Sequence, residues 1–286
     1  MSSATRAEFR RGKPQPRLAA EPPPRVSILG VGVSAIDMNR AVRLAQAAVE
    51  QGRKGYICVT GVHGVMEAQA DAEFRRIQNA SLLTTPDGMP TVWLGRLQGH
   101  KHMARVYGPD FMLAICALSQ SAGYSHFLYG GKPGVAQKLA DALTSRFPDL
   151  RVAGTYTPPF QPLNESEENE LRALVARTRP DFFWVGLSTP KQERFMAKYV
   201  HQLPVKVMVG VGAAFDILTG AIQDSPAWVK DAGLQWLHRL LQEPSRLWRR
   251  YLVNNPRFVC AVTLQFLGLR EYPIAAGSTR TRTPAD

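Results

Sequence analysis

At 286 residues, 45% hydrophobic and 20% charged, the chain has the make-up of an ordinary globular protein with material for one large core. A net charge of +12 calls for an anionic partner, and nucleic acid, acidic lipid headgroups and phosphorylated substrates all qualify. Cys58, Cys116 and Cys260 are far apart, with no CxxC or Cys/His spacing, which argues against a disulfide framework or zinc site and points to a reducing cytoplasm.

Residues 1–24 are rich in Arg, Pro and Ala but lack an apolar h-region, so they read as a disordered basic leader rather than a signal peptide. Residues 26–33 (VSILGVGV) read as a first strand and 38–51 as an amphipathic helix. Residues 55–60 (GYICVT) form a second strand ending in a turn at Gly61. Helical spacing over 65–80 sets Val65, Ala68, Ala72 and Ile77 near one side. A strand at 125–129, a Gly-rich loop and a helix at 135–146 follow, then a short strand at 151–153. Asn164 is placed to cap a helix over 164–177 whose first turn is acidic. The near-continuous apolar runs 181–187 (DFFWVGL) and 205–211 (VKVMVGV) suit buried parallel strands.

This alternation predicts an α/β fold with a mainly parallel Rossmann-like sheet, helices on both faces, and a basic helical C-terminal appendage. Ligands bind such sheets outside the carboxyl ends of the strands. The turns after Thr60, Tyr129, Leu187 and Val211 are therefore the places to look. Residues 236–257 combine Trp, Leu and Tyr with five arginines, a pattern that suits a membrane surface and equally a core-capping helix with a solvated Arg face. No window reaches the roughly 18–20 apolar residues of a membrane span. The best candidate, 258–269, is too short and contains Gln265. The expected division is a leader over 1–24, a catalytic domain over 25–235, a membrane-associating helical appendage over 236–270 and a flexible tail over 271–286.

Gly30-x-Gly32, with Ala35 at the third position, is a weak dinucleotide signal. The second strand ends in Val59-Thr60 with no acid, so a tight turn is the better reading and no cofactor is expected. Gly130-Gly131-Lys132-Pro133-Gly134 lies between strand and helix, where free amides and Lys132 suit a phosphate, although an ordinary β–α turn fits as well. Gly210-Val211-Gly212, followed by Asp216, repeats the theme. Asp87 in Pro86-Asp87-Gly88 is either a turn former or a general base, and Arg105 offers a planar fork for phosphate. Ser188 to Glu193 opens a helix and presents Lys191 and Gln192 at the ligand edge. The histidines show no metal-ligand spacing beyond His100-x-His102 and there is no DxD, so no metal site is expected.

Six segments in order, TPDGMPTVW, RVYGPD, FLYGGKPG, VGLSTPKQERF, VGVGAAFDILTG and LQWLHRLLQEPSRLWRRY, resemble the WecG/TagA/CpsF glycosyltransferase family over about residues 26–252. The resemblance implies an inverting, metal-independent transferase. It would move a sugar such as N-acetylmannosamine from a UDP-sugar to a sugar on undecaprenyl diphosphate, in cell-surface polysaccharide biosynthesis. It makes Asp87 the catalytic base and Arg105 a substrate contact, and places Gln192 at the donor site. By the same resemblance Arg239, Arg246 and Arg249 match an appendage expected to meet the membrane and close over the diphosphate, and their spacing of seven and three suits one helix face. Many members carry Asn where this chain has Gly61, so a donor contact is lost or taken over by His63 or Thr60. The substrate-binding candidates are thus Thr60, His63, Gly130, Gly131, Lys132, Lys191, Gln192, Gly212, Asp216 and the three arginines. The implied partners are a UDP-sugar, a lipid-diphosphate-linked sugar and an anionic membrane surface, with the protein peripheral on the inner face of the bacterial plasma membrane. Nucleic acid is disfavoured because the aromatics lie in apolar runs, and a homo-oligomer is left open. The alternative is a non-catalytic nucleotide-sugar-binding partner in a polysaccharide assembly complex.

Overall fold

The computed structural model describes residues 21–159 and 161–274. It opens with β1 (Arg25–Ile28) and β2 (Val31–Ser34), paired antiparallel as a separate hairpin. The expected single strand over 26–33 is thereby corrected. Leu29 (φ 49°) and Gly30 (φ 79°) both take positive φ, the two-residue turn whose twist matches a hairpin.

The other elements follow in order: α1 (Met38–Glu50), β3 (Gly55–Thr60), α2 (Val62–Ala70), α3 (Ala72–Asn79), β4 (Leu83–Pro86), α4 (Met89–Leu97), α5 (Gly108–Ala122), β5 (Ser125–Gly130), α6 (Val135–Arg146), β6 (Arg151–Tyr156), α7 (Glu165–Thr178), β7 (Phe182–Gly186), α8 (Lys191–Tyr199), β8 (Val207–Gly210), α9 (Ala214–Leu218), α10 (Ala227–Asp231), α11 (Gln235–Gln242), α12 (Pro244–Trp248), a π turn (Arg249–Val253) and α13 (Asn254–Phe266). The helix expected over 65–80 is two helices. Asp71 leaves helical geometry, closes α2, and caps α3 by accepting the Phe74 amide at 2.9 Å. Asn164 caps α7 in a full capping box with Glu167.

Six parallel strands form one sheet in the order β4-β3-β8-β7-β5-β6, the α/β arrangement expected from the apolar runs. Strand alternation explains how a continuous run is buried on both sides. Phe182 and Trp184 pack with α1, α5 and α6 on one face, while Phe183 and Val185 pack with α7 and α8 on the other. His126 is a core residue: its Nδ1 accepts from Trp184 Nε1 at 2.9 Å, and burial lowers its pKa to about 4.

The basic C-terminal stretch is not one helix. Pro244 lacks an N–H and so starts a new helix after α11, and the π turn then widens the register before α13. One side of α13 seats Phe258 in the cluster built on the hairpin. Gln265 latches its end: Oε1 accepts from Leu29 N at 3.0 Å and Nε2 donates to Ser27 O at 2.9 Å. Ser27 Oγ donates to Tyr272 O at 2.5 Å, so residues just past 270 lie against the hairpin. The other side leaves Val259, Leu264, Phe266, Leu267 and Leu269 exposed. Among the described residues no helix is long and apolar enough to cross a membrane. Most of the expected leader (1–20) and tail (275–286) lies outside the described residues.

Candidate active site

A cavity of about 1680 Å³ lies at the carboxyl edge of the sheet, walled by the segments that follow β3, β4, β5, β7 and β8 and by the C-terminal appendage. His63, Asp87, Gly131, Lys132, Lys191, Gln192, Gly212, Asp216, Arg239, Arg246 and Arg249 all line it. Three other candidates do not. Thr60 is 2% exposed, with its methyl against Gly64 and its hydroxyl oxygen buried and unpartnered. Gly130, at φ 130°, is pressed against the next strand, where a Cβ would lie 2.6 Å from Gly186 O. Arg105 stands behind the wall, its guanidinium over the Tyr107 ring at 5.0 Å and its Nη1 buried without a partner.

Asp87 follows directly from β4. Its amide donates to Thr60 O at 3.1 Å, fixing it to the neighbouring strand end. Val106 N donates to Pro86 O at 2.7 Å and so draws the 105–110 segment alongside. Asp87 Oδ1 then accepts the Gly108 amide at 3.3 Å, at the first residue of α5. Burial raises the Asp87 pKa, while the Gly108 N–H and the charges of Arg105 and Arg250 pull it back. A carboxyl with raised proton affinity in a cavity has the character of a general base.

Arg250 is the residue that spacing missed. It lines the cavity from the π turn, its Nε is buried without a partner, and its charge acts on Asp87, His63 and Glu193 together. Burial lowers its own pKa. Spacings of seven and four from Arg239 fit a helix face as well as seven and three, so Arg250 was as eligible as Arg249. The expectation that Arg239, Arg246 and Arg249 share one helix face is corrected. They sit on α11, α12 and the π turn, and they converge because the chain folds over the cavity. Glu243 accepts from Arg239 at 3.1 Å and from Arg246 at 2.6 Å, partly neutralising both.

His63 is held neutral: burial first, then Arg250, lower its pKa to about 4. Its Nδ1 is buried with no hydrogen-bond partner, 3.6 Å from Glu67. Gln192 ties two loops, Oε1 accepting from Gly212 N at 2.9 Å and Nε2 donating to Glu193 Oε1 at 3.0 Å. Thr189 Oγ1 also donates to Glu193 Oε1, at 2.8 Å, and burial raises the Glu193 pKa. Gly131 N donates to Gly186 O at 3.1 Å. The Gly131 and Gly212 amides are therefore engaged inside the protein, which corrects the expectation that they are free for phosphate. Lys132 and Lys191, both exposed, remain as cations at the rim. Sequence reasoning also missed Tyr107, whose hydroxyl donates to Asp224 at 2.9 Å while Lys230 pairs with Asp224 at 2.5 Å. Among the described residues no three His, Cys, Asp or Glu side chains converge to hold a metal ion. The charged groups that gather on the cavity are mainly cations, which suits an anionic ligand.

Residues 26–272 match the Glycosyl transferase WecG/TagA/CpsF family. The chain belongs to that family and is a glycosyltransferase. A relative from Bacillus subtilis (strain 168) is 28% identical over 192 residues, 67% of this chain and 72% of its own length. One from Bacillus spizizenii (strain ATCC 23059 / NRRL B-14472 / W23) is 28% identical over 214 residues, 75% of this chain and 80% of its own. Both are named N-acetylglucosaminyldiphosphoundecaprenol N-acetyl-beta-D-mannosaminyltransferase. The family match runs past the arginines as far as Tyr272, so the hairpin and the latch on α13 belong to the transferase unit.

Proposed function

We propose that this transferase moves N-acetylmannosamine or a related sugar from a UDP-sugar to a sugar carried on polyprenyl diphosphate, with inversion, in cell-surface polysaccharide biosynthesis. The reading is carried by one juxtaposition: a buried carboxylate, Asp87, shares a cavity with Arg250 and the other appendage arginines. The names of the two Bacillus relatives support the sugar and the acceptor class.

Asp87 takes the proton from the acceptor hydroxyl as its oxygen attacks the anomeric carbon. The bond from that carbon to the β-phosphate oxygen breaks on the opposite face, and its electron pair leaves with UDP. Charge developing there meets the preformed field of Arg239, Arg246, Arg249 and Arg250, which needs no reorganisation at the moment of reaction. The Gly108 amide and Arg250 hold Asp87 ionised enough to act, against the burial that sharpens its basicity. Exposed Leu264, Leu267 and Leu269 beside exposed Arg257 and Arg270 suit reversible attachment to the anionic inner leaflet of the bacterial plasma membrane.

The test is UDP release by purified protein across a panel of UDP-sugars with lipid-diphosphate-linked N-acetylglucosamine. Release with one donor, dependent on acceptor and on Asp87, is expected. Silence with every donor, or release that ignores the acceptor, would sink the assignment.

A further inference from the structure

A second, smaller cavity of about 410 Å³ lies between α11 and the start of α13, lined by Trp236, Tyr251, Leu252, Pro256, Val259 and Cys260, with Asn255 as its single amide side chain. Trp236, Tyr251, Asn255 and Val259 also line the active-site cavity, so the two share a wall. The Trp236 and Tyr251 rings sit 6.0 Å apart within that wall, and the neighbouring residues Arg249 and Arg250 face the larger cavity. At the rim, Leu252 is 56% exposed and Val259 61% exposed. Cations on one side of a wall and an uncharged apolar groove on the other fit an amphiphile with an anionic head and a hydrocarbon tail.

We propose that this groove binds the first isoprene units of the acceptor's polyprenyl chain while its diphosphate rests among the appendage arginines. The proposal builds on the acceptor class inferred above and adds the place where the lipid leaves the active site. A diphosphate held at Arg249 and Arg250 lies beside this wall, and the groove on its other side presents no charge against hydrocarbon. Recognition then extends beyond the sugar to the prenyl chain itself.

The groove carries its own reporter, because Cys260 is exposed there while Cys58 and Cys116 are buried. The experiment is the rate of Cys260 alkylation by a maleimide on the full chain, with farnesyl diphosphate or inorganic diphosphate, in buffer without and with vesicles and at two protein concentrations. Farnesyl diphosphate at ten times its Kd is expected to slow alkylation about tenfold, and inorganic diphosphate to leave it unchanged. Equal rates with and without the prenyl compound overturn the proposal. So do equal protection by inorganic diphosphate, protection that needs vesicles, and protection that rises with protein concentration alone. The last two would assign the groove to a membrane surface or to a second copy. Leu252→Asp gives the second measurement. It is expected to raise KM for a polyprenyl-linked acceptor roughly tenfold, the cost of losing one buried apolar contact, and to spare a short-alkyl diphosphate acceptor. Equal effects on both acceptors count against the groove. If neither acceptor supports UDP release even in the unaltered protein, the transfer reading fails, and Cys260 protection still decides the groove.

Discussion

The sheet edge and the C-terminal appendage meet at one cavity but are built on different principles. At the edge hydrogen bonds tie one segment to the next, Asp87 to Gly108, Gln192 to Gly212 and Glu193, Gly131 to Gly186, although the Thr60 hydroxyl and His63 Nδ1 stay unpartnered. In the appendage the cations are only partly engaged. Arg250 keeps a buried Nε unpartnered and Arg249 is exposed over Trp248 at 5.2 Å. On the proposed reading the core supplies shape and the proton acceptor, and the appendage supplies the positive charge. The Gln265 side chain ties the end of α13 to the hairpin backbone, and Gln242 and His238 tie α11 to Gln223 and Ser225. Mutation on the two sides should therefore have different consequences, with Arg250 the point at which they couple because its charge acts on Asp87.

The largest effect is expected on the core side. Asp87→Asn should cut turnover by roughly 10²–10⁴ while leaving UDP affinity nearly unchanged, as judged by single-turnover kinetics and calorimetric titration. Stability should move the other way. Burial makes folded Asp87 bind its proton more tightly than in the unfolded chain, so at neutral pH, above both pKa values, the ionised carboxylate costs stability. The Asn variant should melt higher at neutral pH, and that gain should fade as the pH falls into the carboxylate range. A variant with full activity would remove Asp87 from its role.

On the appendage side, Arg250→Met should lower kcat/KM by roughly 10², the usual cost of removing one preorganised charge-stabilising donor. Arg250 pulls the Asp87 pKa down, so the acid limb of the pH–rate profile should move to higher pH in the variant. Arg250 also depresses His63, whose titration should rise from about 4 when followed by NMR. If His63 and the acid limb both stay put, Arg250 does not face the core as described, and the comparison between the two regions breaks.

How far these regions were legible in the sequence follows the same line. Parallel strands announce themselves as apolar runs, and α6 closes within the bounds its pattern gave because strand, glycine and helix signals agree locally. The hairpin was hidden because its turn is Leu29-Gly30, with a Leu at positive φ where a polar turn residue would be expected; the buried Leu29 side chain holds it there. Helical spacing runs straight through Asp71, whose capping role needs an extended backbone that spacing does not reveal. Asp87 follows β4, a four-residue strand too short and too polar to stand out as an apolar run, whereas Gln192 opens α8 after β7, whose apolar run is legible. Arg250 was not legible, because its place depends on Pro244 and a π turn that shift the register after α11, a tertiary outcome no periodicity records.

Smaller effects sharpen the contrast. Gln192→Ala strips the Gly212 amide and Glu193 of a partner in a buried place, and should cost about 1–3 kcal/mol in denaturant unfolding. An unchanged midpoint would mean that the two loops are held by something else. Arg257→Ala, on exposed α13 surface, should weaken binding to anionic vesicles by about 1 kcal/mol, roughly fivefold, without altering turnover on a soluble acceptor. Equal vesicle affinity would take the membrane-facing role away from this end of α13.

The smallest energetic change bears on the donor sugar. Gly61 caps α2 at an ordinary φ of −109° with no side chain to bond the helix. A Cβ there would meet nothing closer than Asp87 Oδ2 at 3.9 Å and Gly88 N at 4.0 Å, so the backbone position itself has room for a side chain. As an N-cap, Asn improves on Gly by only a few tenths of a kcal/mol, so the melting temperature should barely move. The new carboxamide would stand beside Asp87, at the position where the resemblance to the family calls for Asn. One added hydrogen bond is worth about 1 kcal/mol net, so the ratio of kcat/KM between two UDP-sugars should change roughly fivefold. If that ratio is untouched across the panel, the donor is not read at this strand end. Discrimination would then rest with His63, since its ring lines the cavity while Thr60 lies beneath the wall.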